Sequence, residues 1–257
     1  MKNWFIPLWE QSKANKATMI ILQLTLAVIF WVLYPASFFP KPWEISTAWL
    51  KLMNEGFLLD IGSSFRITIE AIAITAIISL GFVYLSVLSF FRPFVTFLSK
   101  LRFNGLVGAQ LFIILLVSGG HELKLALMVF AMTPWFITAM ASEIRAIPEE
   151  QHDLAKTLGM SNLRRAYEVV ILGTADKALE IVRQNTAIGW MMLTTVEGLV
   201  RSEGGIGSIL LNQSKYMHLD GVFAILITVL IIGLCLDELL GIIKKWICPY
   251  ASMGKGK

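Results

Sequence analysis

Apolar residues run in long blocks along this chain, and polar residues collect in the gaps between them. A helix needs about 20 apolar residues to cross the hydrocarbon core of a bilayer. Six stretches reach or approach that length: residues 17–36, 65–91, 103–119, 123–141, 184–200 and 222–243. The predicted fold is all-α, a polytopic membrane protein with about six transmembrane helices. Trp31 and Tyr34 close the first stretch as interfacial aromatics. Arg92-Pro93 is expected to end the second, and Pro134 to kink the fourth, a distortion membrane helices tolerate when neighbours satisfy the freed carbonyl. The third is short and Gly-rich. No small-residue cleavage site follows the first stretch, which reads as an uncleaved anchor. One membrane domain is expected over residues 17–250, with a polar connection at about 142–183 and tails at 1–16 and 251–257.

Composition agrees. The chain of 257 residues is 56% hydrophobic and 16% charged, against roughly 25% charged in soluble domains. Its net charge of +4 is therefore no sign of nucleic-acid binding. In a membrane protein, basic residues mark the cytoplasmic side. Six spans put both termini on one face. Of the 22 Lys and Arg, all but Lys41, Lys51, Arg66, Lys124, Arg201 and Lys215 lie on that face. The termini and the connection at 142–183 are accordingly predicted to be cytoplasmic. Cys235 and Cys248, if on one helix, stand about 20 Å apart, beyond disulfide reach. His121, His152 and His218 match no metal-ligand spacing. No metal or cofactor is predicted.

The connection carries its own helical signals. Pro148 suits a first helical position, and Glu149 and Glu150 suit the positive end of a helix. Ile147, Gln151, Leu154, Ala155 and Leu158 share one face, while Glu149, His152, Asp153 and Lys156 lie away from it. Gly159 is placed to stop this helix, and Ser161 to cap a second one, "NLRRAYEVVIL". A helix, a glycine turn and a helix are expected. Their apolar stripe is too small to make a core, so it must rest on the membrane body, on a partner, or on both.

"DLAKTLGMS" resembles the cytoplasmic signature of binding-protein-dependent ABC importer permeases: E-A-A, three residues, G, then a hydrophobic stretch ending near L-P. Asp153 stands at the Glu position, Leu154 and Ala155 at the two Ala positions, and Gly159 at the Gly. Leu172-Gly173 stands where the family has Leu-Pro. The segment "TTVEGLVRSEGGIGSILLNQSKYMHLDGVFAILITVLIIGLCLDELL" is similar to the nitrate, sulfonate and taurine type. The resemblance spans roughly residues 60–250. It implies a type I importer permease in a bacterial plasma (inner) membrane. It also implies a coupling helix that docks on a separate ATP-binding subunit through Glu149, Asp153, Leu154, Ala155, Leu158, Gly159 and Met160. A second permease copy and an extracytoplasmic solute-binding protein are the other implied partners, with a small anion or sulfonate-like solute as cargo. No G-x-x-x-x-G-K-[ST] loop occurs in the chain, so ATP hydrolysis is expected on another polypeptide.

Ionisable residues inside a bilayer are costly and default to functional hypotheses. Glu70 follows Arg66 at i+4, the spacing of a local ion pair. Asp237 and Glu238 lie near Lys244 and Lys245, where interfacial pairing is expected. Glu197, with Thr194 and Thr195, falls on the fifth span, which would line the pore in this family; hydrogen bonding between helices is its other reading. "GGIGSILLNQSKYM" is expected to form an outer loop with a short amphipathic helix. It either contacts a binding protein or turns back at the interface. A proton-coupled secondary transporter using Glu70 or Glu197 is the competing function. A membrane enzyme lacks any Ser/Lys dyad, His/Asp cluster or metal motif.

Overall fold

A computed structural model describes residues 13–33, 39–117 and 119–248. Up to residue 12 the expected N-terminal tail lies outside them, and the tail at 251–257 lies wholly outside. Among the described residues every regular element is helical.

Helix α1 (Lys13–Leu33) is polar in its first turns and, from Met19 on, apolar apart from Gln23 and Thr25, and none of its described side chains is buried. Such a helix needs lipid or another chain around it. It meets the rest of the molecule near its end, where Trp31 Nε1 donates to the Pro40 carbonyl at 3.1 Å. Helix α2 (Pro42–Asn54) lies between the first two predicted spans and is too short to be one. Pro42 opens it, and Lys41 N–H donates to Glu44 at 2.8 Å. Ile45, Ala48 and Leu52 point inward at helical spacing. Trp49 Nε1 reaches Thr228 at 3.1 Å, which fixes α2 to the last helix.

Helix α3 (Phe57–Leu85) begins eight residues before the predicted span and stops before its predicted end. Its buried stripe is Ser64, Thr68, Ala71, Thr75 and Ser79. Small side chains at this spacing let a neighbouring backbone come close, the common solution for packing helices in lipid. Arg92-Pro93 opens helix α4 (Arg92–Lys100) rather than ending α3. The reason is that proline fits the first turn of a helix, where its missing N–H costs nothing.

The third predicted span is shorter than expected. After a single 3₁₀ turn (Leu101–Phe103), Asn104 and Gly105 are extended, and helix α5 covers only Leu106–Leu116. The chain bends by 115° between Arg92–Phe103 and Gly108–Leu116. By length and composition, α1, α3 and two helices described next, Gly120–Arg145 and Leu219–Ile247, could each cross a membrane; the bent pair would be a fifth crossing.

Helix α6 (Gly120–Arg145) buries Leu127, Met128, Met132, Phe136, Ile137 and Met140. Its internal Pro134 leaves a gap in the hydrogen-bond ladder, and Thr138 Oγ1 donates back to the Pro134 carbonyl at 2.7 Å. A short helix α7 (Glu149–Thr157) and helix α8 (Asn162–Arg165) follow, and α8 continues into a π-helical turn (Ala166–Leu172). Helix α9 (Ala175–Leu199) is nine residues longer at its start than the predicted fifth span. After a 3₁₀ turn (Arg201–Glu203) come α10 (Ile206–Lys215) and α11 (Leu219–Ile247). Cys235 is exposed on α11 and Cys248 is buried just past its end, and no disulfide links them.

α9 packs against α3, α6, α10 and α11 and is the central pillar. Two apolar clusters lie along it. One, near α2 and α10, includes Phe57, Leu127, Leu193, Ile206 and Ile225. The other, near α4, includes Val83, Val95, Phe136, Met140 and Ile181.

Ion pairs tie α9 to α11, and they differ from the pairing expected. Asp237 does not join the lysines of its own helix. Arg183 grips it with Nε at 2.7 Å and Nη2 at 2.6 Å, and Lys244 pairs with Glu180 at 2.6 Å. The fork of guanidinium donors matches a carboxylate and favours this partner over an ammonium. In a double-mutant cycle, Arg183→Leu and Asp237→Leu together should lower the melting temperature in detergent by less than the sum of the two single losses, because the pair is partly exposed and each single change removes the same interaction. Strictly additive losses would show that the pair contributes nothing specific.

Candidate functional site

Two features stand out at opposite ends of α9. The first is the α7–α8 handle. Pro148, extended at φ −61°, ψ 141°, caps α7 instead of entering it, and Glu149 and Glu150 occupy the first turn. At the other end Gly159 takes φ +72°. This left-handed residue lets Gly159 N–H bond Lys156 at 2.9 Å and Met160 N–H bond Ala155 at 3.1 Å, which satisfies the last carbonyls of α7. The Ser161 hydroxyl then accepts from Arg164 N–H at 3.3 Å and starts α8. The helix–glycine–helix sequence is therefore a stiff object.

Its apolar face is split. Ala155 is buried, on a helix that packs against α8 and the π turn, and Met160 is half-buried. Leu154 and Leu158 are 62% and 65% exposed, and Leu163 on α8 is 80% exposed. Glu149 and Asp153 face water. The Lys156 ammonium, 2.7 Å from Asp153, holds that carboxyl below the usual carboxylate range. Arg164 pairs with Glu168 at 2.7 Å. The π turn explains Gly173. Its N–H bonds Glu168 at 3.2 Å, one residue further back than in an α-helix, and a Cβ there would collide with the Val169 carbonyl.

The second feature is a buried polar knot where α9 turns into α10. Glu197 is 1% exposed. One carboxylate oxygen accepts from Ser64 Oγ at 2.6 Å and the other from Gly207 N–H at 2.8 Å. Ser64 Oγ in turn accepts from Ile206 N–H at 3.0 Å, and Asp60 accepts from Gly205 N–H at 2.8 Å. Lys124, 2% exposed, donates to the Gly204 carbonyl at 2.7 Å. The first N–H groups of α10 are thus capped by α3 and α9, and α6 holds the turn from the other side. Two glycines make the approach possible. A Cβ on Gly205, which has φ +103°, would overlap the Glu197 carboxyl, and one on Gly207 would overlap the Thr194 carbonyl.

The three polar residues expected together on the fifth span are separated. Thr194 and Thr195 line an open cleft of about 440 Å³ with Gly198, Leu211 and Ser214. Glu197 turns away from it into the knot. Glu70 holds Arg66 at 2.9 Å as expected and also His121 at 2.8 Å. Trp190 packs between α9 and α11, its Nε1 bonded to the Val229 carbonyl at 2.8 Å. Sequence reasoning missed Ser64, Asp60 and Lys124. Ser64 belongs to a small-residue stripe readable at helical spacing, whereas nothing local to Asp60 or Lys124 points to the knot.

A helical membrane body that carries a capped, solvent-facing handle at one end, and beside its central helix an open, mostly apolar cleft bearing Thr194, Thr195 and Ser214, has the form of a transport subunit. Residues 93–247 match one family, and this chain belongs to it: the binding-protein-dependent transport system inner membrane components. The chain is also 28% identical over 122 residues to "Putative ABC transporter permease protein MJ0413" of Methanocaldococcus jannaschii. That match covers 47% of this chain and 45% of the relative, so it spans less than half the length of the relative. The fold is similar to that in a crystal structure of an amino acid ABC transporter with histidines, with a TM-score of 0.61, 16% identity, and coverage of 77% of this chain and 97% of that one.

Proposed function

We propose that the chain is the permease subunit of an ATP-driven importer and that α7 with the Gly159 turn is its coupling handle. A separate ATP-binding subunit would receive the handle through Leu154, Leu158 and Met160, with Ala155 bracing it from behind and Glu149 and Asp153 forming its charged rim. The observation that carries this reading is the exposure of Leu154, Leu158 and Leu163 on a rigidly capped element. Apolar residues gathered on one water-facing element mark a docking site. When ATP closes the partner, a stiff handle would transmit the motion to α6 and α9, and the body would rock between inward and outward access.

Two copies facing each other would form the path, with Thr194 and Thr195 on its wall. Glu197 acts behind that wall, as the anchor that holds the α10 hairpin to α3 and α9. The excess of Lys and Arg supports placing the handle and both termini on the cytoplasmic side of the plasma (inner) membrane. The α10 side would then meet an extracytoplasmic binding protein. The resemblance of the Thr194–Leu240 segment to the nitrate, sulfonate and taurine type supports a small anionic or sulfonate-like cargo.

The test is reconstitution in liposomes with the co-expressed ATP-binding subunit and solute-binding protein. Uptake of a sulfonate should require ATP and should persist when the proton gradient is collapsed. Uptake driven by a proton gradient without ATP would contradict this reading.

A further inference from the structure

Beside the handle lies a recess of about 410 Å³, walled by the end of α3, by α4, by the last turn of α6, by α7 and by the π turn. Its polar lining is one-sided. Arg92, Arg145 and His152 contribute three basic groups, Ser86, Thr96 and Ser99 contribute hydroxyls, and no carboxylate lines it. Neither Arg92 nor Arg145 forms an ion pair among the described residues. Arg145 spends its Nε on the Ala141 carbonyl at 3.1 Å, which leaves its two Nη groups. Each hydroxyl donates into its own turn: Ser86 to Val83, Thr96 to Arg92 and Ser99 to Thr96. A rotation about the C–O bond frees each donor for a ligand.

Both guanidinium groups are exposed and have no counter-charge among the described residues, so the concave surface that gathers them carries a positive potential. The group that relieves this is an oxyanion, because phosphate and sulfonate oxygens match the planar fork of arginine. We propose that this recess is an oxyanion site for a phosphate-type group that fastens the handle to the membrane body. Arg92 and Arg145 belong to the body, whereas His152 belongs to α7, so a bound oxyanion touches both sides of the joint. Occupancy would restrain α7 and thereby slow coupled transport. This regulatory consequence rests on α7 being the coupling handle; the binding itself does not.

The phosphate-type group could come from solution or from a lipid. Phe94 and Phe97 are exposed on α4, as on the apolar side of a short amphipathic helix lying at the bilayer interface, where headgroups lie. The experiment therefore has two binding arms on the purified full chain: melting in detergent with inorganic phosphate against chloride at matched ionic strength, and melting in nanodiscs of phosphatidylglycerol against phosphatidylcholine. The wild-type chain should gain melting temperature in at least one arm, with saturation as ligand rises. The variant Arg92→Gln/Arg145→Gln should lose that gain. Response to phosphate identifies a free anion, and response to phosphatidylglycerol alone identifies a headgroup. His152→Leu, which leaves both arginines in place, should reduce the gain and serves if the double variant does not fold. No gain in either arm, or equal gains in wild type and variants, overturns the site.

A third arm reads function. Phosphate, or phosphatidylglycerol if that is the ligand, placed on the handle side of reconstituted vesicles should slow ATP-driven uptake by wild type and not by the arginine variant. Binding without this inhibition overturns the regulatory role and leaves the site standing. Absence of any ATP-driven uptake refutes the importer reading, and the two binding arms are unaffected by it.

Discussion

Replacing Gly159 with proline should abolish ATP-driven uptake while the chain still inserts in the membrane at normal abundance. Gly159 has φ +72°, and proline is fixed near −65°, so the turn cannot form. The change also deletes the N–H that bonds Lys156 and displaces the one from Met160 to Ala155. These bonds close α7, and none of them contributes to the membrane core. Gly159→Ala separates backbone strain from crowding, because no atom lies within 4 Å of where its Cβ would sit. A left-handed alanine costs about 1–2 kcal/mol, so its uptake should fall roughly tenfold if that energy weakens the docked handle. Uptake assays on vesicles with matched permease content, judged by immunoblot, measure both. Unimpaired uptake by the proline variant would refute a rigid handle.

Glu197→Leu should produce the largest loss of stability among substitutions in the membrane body. Leucine is similar in size but accepts no hydrogen bond. Ser64 Oγ–H and Gly207 N–H would both be stranded at a site that is 1% exposed. A buried donor left unsatisfied costs about 1–3 kcal/mol, so the two together cost roughly 2–6 kcal/mol. Glu197→Gln keeps one acceptor oxygen and should lose about half as much. Thermal melting in detergent, followed by size-exclusion recovery, ranks wild type above Gln and Gln above Leu. If Leu matches wild type in melting but not in uptake, Glu197 acts in the path rather than as an anchor.

Much of the fold was readable because oil and water separate so sharply along the chain. α1, α6 and α11 fall where the apolar runs place them. The handle was readable too, because its signals are local: Pro148, the paired glutamates, Gly159 and Ser161 each fix a terminus without help from the rest of the chain. α2 was missed because it is short and only one face is apolar, although Ile45, Ala48 and Leu52 carry that face openly. The break in the third stretch also had a signal, Asn104-Gly105, outweighed by the leucines and isoleucines after it.

The long-range contacts had no local signal. Arg183 and Asp237 are 54 residues apart, and Ser64 and Glu197 are 133 apart. Only packing brings them together. For the same reason Glu197 looked like a neighbour of Thr194 and Thr195 in the chain but faces away from them in space.

The exposed apolar face of the handle is the centre of the account, and cysteine labelling tests it most directly. With Cys235 and Cys248 replaced by serine, single cysteines at Leu154, Leu158 and, as a control at the other end, Tyr216 would be treated with a membrane-impermeant thiol reagent. In inside-out vesicles Leu154→Cys and Leu158→Cys should react readily in the permease alone and be protected once the ATP-binding subunit is bound, while Tyr216→Cys should react only in right-side-out vesicles. Equal labelling of positions 154 and 158 with and without the ATP-binding subunit, or labelling of them from the outer side, would contradict it.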